Sequence, residues 1–224
     1  MKVTERYPRE TGRDYALRII KDNIIRLELP PGALISENEL AAELGLSRTP
    51  VREALIELSK VAVIEIQPQK KSVVASIDYD LIEEARFMRK VLECEVVKLV
   101  CGMATEADIA KLRENLALQK FYLVQAPENL LSLDDELHAK LFAIAKKNRV
   151  YALTRNLSIH FDRVRHMALT IVKDNKTVED HERIVDAIAA GDKQAASAIM
   201  EKHLSRYKVD AAAIREKYPQ YFND

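Results

Sequence analysis

The 224-residue chain carries 35 Lys and Arg against 35 Asp and Glu, so any attraction to nucleic acid must come from locally placed cations and not from a global field. Its 48% hydrophobic and 31% charged residues are ordinary for a soluble, helix-rich chain of one large or two small domains, and only 7 Pro and 5 Gly argue against a turn-filled β fold. No apolar run is long enough to span a bilayer, the N-terminus lacks a signal-peptide core, and Cys94 and Cys101 share one helical face. These features point to a cytoplasmic protein and away from disulfide or metal pairing at the cysteines.

Residues 1–10 read as a polar, frayed lead. From about Thr11 to Leu29, Tyr15, Ala16, Ile19, Ile20, Ile24 and Leu27 follow helical spacing, and Pro30-Pro31-Gly32 ends that helix. Ser36 to Lys60 then predicts two short helices joined by a tight break. Ser36 and Glu39 form a capping-box pattern, so the first helix starts at about Glu37; Leu40 and Leu44 recur on one face, and Gly45 stops it. Ser47 or Thr49 can cap the next helix, Pro50 is tolerated in its first turn, and Val51, Ala54, Leu55 and Leu58 supply the buried stripe. Ala41, Gly45 and Val51 suit two helices crossing closely at a steep angle, as in a helix-turn-helix. Such a unit presents the start of its second helix to the major groove, here Ser47, Arg48, Thr49 and Arg52. On spacing alone the alternative is a helical hairpin with a solvated polar face.

The run PPGALISENELAAELGLSRTPVREAL, followed by IQPQ, resembles the winged-helix DNA-binding domain of the GntR family of bacterial transcription regulators across about the first third of the chain. β-Branched residues at Val63, Ile64, Ile66, Val73 and Val74 around a polar break predict the wing hairpin, with Lys70 and Lys71 at its tip reaching a phosphate or the minor groove, or forming a plain solvated turn. The sequence departs from the family in the wing, which usually carries Arg-Gly in place of Lys70-Lys71 and Gly in place of Ala62. Asn38 stands where an Arg is often found.

From Asp78 strand signals vanish. Helical periodicity predicts six helices over about 79–103, 106–124, 128–147, 149–171, 177–190 and 193–216. The expected fold is therefore mainly α: an N-terminal winged helix-turn-helix domain over 1–76, then an all-α six-helix bundle over 77–224, with the boundary near Ser76–Tyr79.

All five histidines follow residue 137. Asp134 and His138 are four apart on one helix, and His181 and His203 fall on later ones; together they form a donor set for a divalent cation such as Zn, Ni or Mn. By residue type alone, solvated helix faces explain them as well. The run LDDELHAKLFAIAKKN, with DHERIVDAIAAGDKQAASAIMEKHL, resembles the FCD ligand-binding domain of FadR-type GntR regulators. That resemblance implies metal ligation by Asp134, His138, His181 and His203, with Leu137 in place of the usual Phe and Asp180 in place of Glu. Arg89, in an RxxLE-like run with Leu92 and Glu93, then becomes a pocket residue for a small carboxylate effector; its alternative is an ion pair with Glu93. Arg163, Arg165, His160 and His166 are further polar positions, expected mostly at the surface or an interface because one helical face looks inward.

These features imply a homodimeric regulator, commonly a repressor in this family, that binds a palindromic operator under control of a metal-held organic acid. A metal-sensing regulator is the alternative. A metal-dependent hydrolase is disfavoured because no general base stands at a characteristic spacing beside the ligands.

Overall fold

The computed structural model describes residues 1–67, 71–171, 176–205 and 213–223. It divides into two compact units, the first made of Met1–Ile82, Ile159–Arg163 and Arg215–Asp224, the second of Glu83–Ser158 and Val164–Ile214.

In the first unit, α1 (Gly12–Ile25) starts where the Thr11 side chain accepts from the Asp14 amide, and it buries Tyr15, Ala16, Ile19, Ile20 and Ile24 as their spacing requires. It ends four residues earlier than the sequence suggests. Leu27 turns left-handed at φ 59, and the Leu29 amide closes onto the Asn23 carbonyl at 3.1 Å, upstream of the prolines. The lead is not frayed. Asn23, 1% exposed, exchanges bonds with the Lys2 backbone at 2.6 and 2.8 Å, Tyr15 donates to the Thr4 carbonyl at 3.0 Å, and Arg18 bonds both Glu10 oxygens while stacking over Tyr7. These partners lie 8 to 21 residues apart, so no periodicity announces them.

After β1 (Leu34–Ile35), α2 (Glu37–Leu44) begins at Ser36, whose Oγ accepts from the Glu39 amide at 3.4 Å. Gly45 ends it at φ 64, a conformation that costs an L side chain energy, and the Leu46 amide closes back onto the Ala41 carbonyl at 2.9 Å. This short reversal delivers α3 (Arg48–Lys60) across α2, with Val51, Ala54, Leu55 and Leu58 buried and α1 packed against it. β2 (Ile64–Glu65) and β3 (Ser72–Val74) form the expected wing in an antiparallel sheet ordered β1-β3-β2, with Leu34 opposite Val73 and Ile64 opposite Val74.

Ala62 sits at φ 56, at the position where the related wing pattern has Gly. An Ala there is strained by about 1–2 kcal/mol, partly offset by the larger unfolded-state entropy of Gly, about 0.4–1 kcal/mol. Ala62→Gly is therefore expected to raise stability by roughly 0.5–1 kcal/mol, read as a higher urea midpoint at unchanged slope.

A seal behind the wing completes this unit. Arg163, fully buried, donates to the carbonyls of Ala75 at 2.7 Å and Ser76 at 3.4 Å. His160 Nδ1 accepts from the Asp78 amide at 3.2 Å and from Arg163 at 2.7 Å, so its Nε2–H donates to the Ala62 carbonyl at 3.1 Å. The tail adds a short parallel bridge: the Ile77 amide donates to the Tyr221 carbonyl at 2.7 Å, the Asn223 amide donates to the Ile77 carbonyl at 3.2 Å, and Phe222 stacks on Tyr79 at 5.1 Å.

Burial, reinforced by the Arg163 charge, pulls His160 down to about 4. Above pH 6.5 it is neutral folded and unfolded; between 6.5 and 4 the unfolded chain takes up the proton first, so stability falls with acid, and below 4 the slope ends. The full window is worth on the order of 3 kcal/mol. His160→Asn should flatten this part of the stability–pH curve, measured by chemical denaturation at successive pH values.

The second unit is all helical among the described residues. α4 (Tyr79–Met103), whose first turn counts with the first unit, is followed by α5 (Glu106–Gln125), started by a reciprocal Thr105–Asp108 capping box. A 3-10 turn at Pro127–Asn129 leads into α6 (Leu130–Ile144). The stretch expected as one helix over 149–171 is two, α7 (Asn148–Leu157) and α8 (Ile159–Ile171). Thr154 donates to the Val150 carbonyl at 2.9 Å and Ser158 to the Thr154 carbonyl at 2.8 Å, and these hydroxyls draw backbone carbonyls away from the helix ladder at the break. α9 (Lys176–Ala189) and α10 (Lys193–Ser205) follow; the end of the last expected helix falls partly outside the described residues. Val97, Val100, Leu112, Leu137, Phe142, Ile184 and Met200 centre the core, with the free thiols Cys94 and Cys101 packed half-buried against it.

Candidate functional site

At the start of α3, Ser47, Arg48, Thr49 and Arg52 are all exposed, grouped by the Gly45 reversal that aims this helix outward. Ser47 stands at the N-cap position without a side-chain cap bond. Arg48 reaches Glu37 at 3.3 Å, and Lys71 reaches Glu39 at 3.3 Å; Arg52 makes no ion pair among the described residues. Lys70 lies outside the described residues.

The second unit brings four distant residues together. Asp134 and His138 on α6, His181 on α9 and His203 on α10 each offer one ligand atom, all within 4.8 Å of one another. The helical repeat explains the convergence: Leu133, Leu137 and Leu141 bury one stripe of α6, and Asp134 and His138 ride on its margin. His181 Nε2 lies 3.3 Å from His203 Nε2 and 3.4 Å from Asp134 Oδ1, and His138 Nε2 lies 3.8 Å from Asp134 Oδ2. Metal–nitrogen bonds near 2.0–2.1 Å in a tetrahedron place neighbouring donors about 3.4 Å apart, so two of these edges already match and the third is slightly open. Among the described residues neither buried ring nitrogen of His138 has a hydrogen-bond partner, and Nε2 is the one that faces the other donors. The donor set fits a borderline divalent metal.

The electrostatics suit ligation as well. Burial lowers His181 to about 4 and His203 well below the usual imidazole range, so both are neutral at pH 7 with lone pairs available. Burial alone would raise Asp134, but the Arg165 guanidinium beside it holds the carboxyl far below the usual range. Arg165 bonds Asp134 Oδ2 and also Asp135 at 2.8 Å; Arg155 reaches Asp135 at 2.7 Å.

Arg89 is 6% exposed and donates to Glu93 Oε1 at 2.7 Å, the ion pair that its i, i+4 spacing allowed, and Glu93 Oε2 lies 2.5 Å from His138 Nδ1. It therefore sits one residue removed from the cluster. The expectation that most of Arg163, Arg165, His160 and His166 lie at the surface or an interface is corrected: Arg163 and His160 are buried in the first unit, Arg165 is engaged at Asp134, and none of the four is exposed. Sequence reasoning missed Asn115 and Gln119 of α5, both buried, with Gln119 Oε1 2.8 Å from His181 Nδ1. Their spacing from Leu112 and Leu116 on the same stripe was the available signal, because an amide at a core position demands a partner.

The FCD domain family matches residues 84–206, more than half of the chain, and the family of bacterial regulatory proteins called gntR matches residues 15–74. The chain belongs to the GntR family of transcription regulators. It is 33% identical over 215 residues to an uncharacterized HTH-type transcriptional regulator in an unstable DNA locus of Streptomyces ambofaciens, covering 96% of this chain and 90% of that one. It is also 29% identical over 223 residues to the HTH-type transcriptional repressor RspR of Escherichia coli K12, covering 99% and 98%. Among solved structures, E. coli McbR/YncC superposes with a TM-score of 0.79 at 20% identity over 93% of this chain and 99% of that one. A putative GntR regulator from Rhodococcus sp. RHA1 gives 0.71 at 27% identity, over 92% and 98%. This GntR regulator is thus a DNA-binding protein and not an enzyme, and no helix among its described residues is long and apolar enough to cross a membrane.

Proposed function

We propose that this GntR regulator is a repressor-type homodimer whose operator binding is set by a small organic acid held at a divalent metal in the domain over 77–224. The observation that carries this reading is the convergence of Asp134, His138, His181 and His203 from three helices. The metal would supply a Lewis-acidic point for a carboxylate, and the Arg89 and Arg165 guanidinium groups beside the cluster are matched to carboxylate geometry. Binding controls DNA affinity only if the acid favours one arrangement of the DNA-binding domains over another.

On the DNA side, each recognition helix α3 reads one half of a palindromic operator through Ser47, Arg48, Thr49 and Arg52, with Lys70 and Lys71 of the wing on phosphate or minor groove. Replacing Arg48 or Arg52 with Ala is expected to lower affinity for the cognate operator by about 1–3 kcal/mol and to relax selection at one base pair. Competition binding against single-base operator variants measures this, and an unchanged sequence preference removes that arginine from base readout.

One observation favours a second reading. Four protein donors complete a tetrahedral zinc shell, whereas six-coordinate Mn or Ni leaves two positions for an acid. A closed zinc site makes the cation itself the signal. Chelation, then separate titration with metals and with metabolite acids, distinguishes the two: if metal alone toggles operator binding and no acid alters it, the protein is a metal sensor. A thermal-shift screen of acids with metal present identifies the effector class.

A further inference from the structure

We infer that an amide relay on α5, Asn115 to Gln119, fixes the tautomer of His181 so that its Nε2 lone pair faces the metal cluster; the consequence for metal affinity rests on the metal reading above. The direction of the relay follows from its far end. Asn115 Nδ2 lies 3.2 Å from the Leu133 carbonyl and 3.1 Å from Glu136 Oε2, two groups that only accept. Asn115 must therefore present its NH₂ to them and its Oδ1 to Gln119.

Gln119 answers with Nε2, which donates to Asn115 Oδ1 at 2.7 Å and faces the Leu133 carbonyl at 3.4 Å. That leaves Gln119 Oε1 toward His181 Nδ1 at 2.8 Å, so Nδ1 carries the hydrogen and donates. Neutral His181 then bears its lone pair on Nε2, the atom 3.4 Å from Asp134 Oδ1 and 3.3 Å from His203 Nε2. A reversal at any one step would set two acceptors or two donors face to face among buried groups, at a cost that locks the whole chain.

The other histidines mark what the relay adds. Glu93 Oε2 lies 2.5 Å from His138 Nδ1, but neither atom has an aligned hydrogen bond among the described residues. His203 Nδ1 is buried with no hydrogen-bond partner among the described residues. Among the described residues His181 is thus the imidazole of the three that is hydrogen-bonded from behind, and Gln119 and Asn115 are positioning residues for it. Partners of this kind, behind a metal ligand, are typically worth about 10–100-fold in metal affinity.

The test compares wild type with Gln119→Met, which keeps the shape and removes the acceptor, and Gln119→Glu, which keeps an acceptor toward His181 but loses the donor to Asn115 Oδ1. In metal-free protein, long-range proton–nitrogen NMR should show His181 protonated at Nδ1 in wild type and Gln119→Glu, and a tautomer mixture in Gln119→Met. With zinc and a competing chelator, Gln119→Met should bind about 10–100-fold more weakly than wild type. A wild-type His181 protonated at Nε2, or a Gln119→Met variant with unchanged tautomer or zinc affinity, overturns the relay. If wild type binds no zinc, the metal reading fails instead, and the tautomer measurement on metal-free protein still decides the relay. Should Gln119→Met not fold, wild type and Gln119→Glu carry the same measurement.

Discussion

His181→Ala and His203→Ala, made together, are expected to yield protein without the stoichiometric divalent metal expected in wild type, measured by elemental analysis after desalting. The two imidazoles stand 3.3 Å apart and supply half of the four donors. Removing them leaves Asp134, already engaged by Arg165, and His138, contacted from behind by Glu93. Such a pair has neither the number nor the spread of donors that a zinc, nickel or manganese ion needs. Stoichiometric metal retained in the double variant would refute the four-residue site. Added zinc is expected to raise the melting temperature of wild type but not of the same variant, since a ligand stabilises only the state it binds.

The second large effect is expected at Arg163. Arg163→Met keeps a long apolar stem but withdraws the donors that meet the Ala75 and Ser76 carbonyls, and it takes the Arg163 contact from His160. A buried acceptor left without its donor costs about 1–3 kcal/mol, so the substitution should destabilise the first unit by roughly 2–4 kcal/mol. Urea unfolding reads the loss, and amide hydrogen exchange at Ile77 locates it. Arg163→Lys should rescue only part of it, because one ammonium cannot copy the planar fork that reaches two carbonyls. An Arg163→Met protein as stable as wild type would show that the seal contributes packing alone.

The parts of this fold that were legible in the sequence are those decided within a few residues. Ser36 with Glu39, and Gly45 before Ser47, specify cap and reversal by turn chemistry, and the crossing of α2 and α3 follows from them. The 3.6-residue period likewise places Asp134 and His138 on one face of α6. What stayed hidden was polar and long-range. Lys2 with Asn23 and Gln119 with His181 join residues 21 and 62 apart, and amides carry no apolar stripe to reveal them. The α7–α8 break escaped because Thr154 and Ser158 are tolerated in helices, and only their back-bonding hydroxyls mark the stop. Arg163 escaped because a charged residue on an amphipathic helix reads as solvated until buried carbonyls claim it.

The bridge between Ile77 and Phe222 has a consequence for biosynthesis. Residues Met1–Ile82 emerge from the ribosome first and can collapse around α1 and α3 at once, but the residues that seal them, Ile159–Arg163 and Arg215–Asp224, emerge only with and after the bulk of the second unit. During that interval Ile77 and the carbonyls of Ala75 and Ser76 wait without their final partners. The winged helix of a nascent chain is therefore an unfinished object, and its completion reports that the whole second unit has been translated.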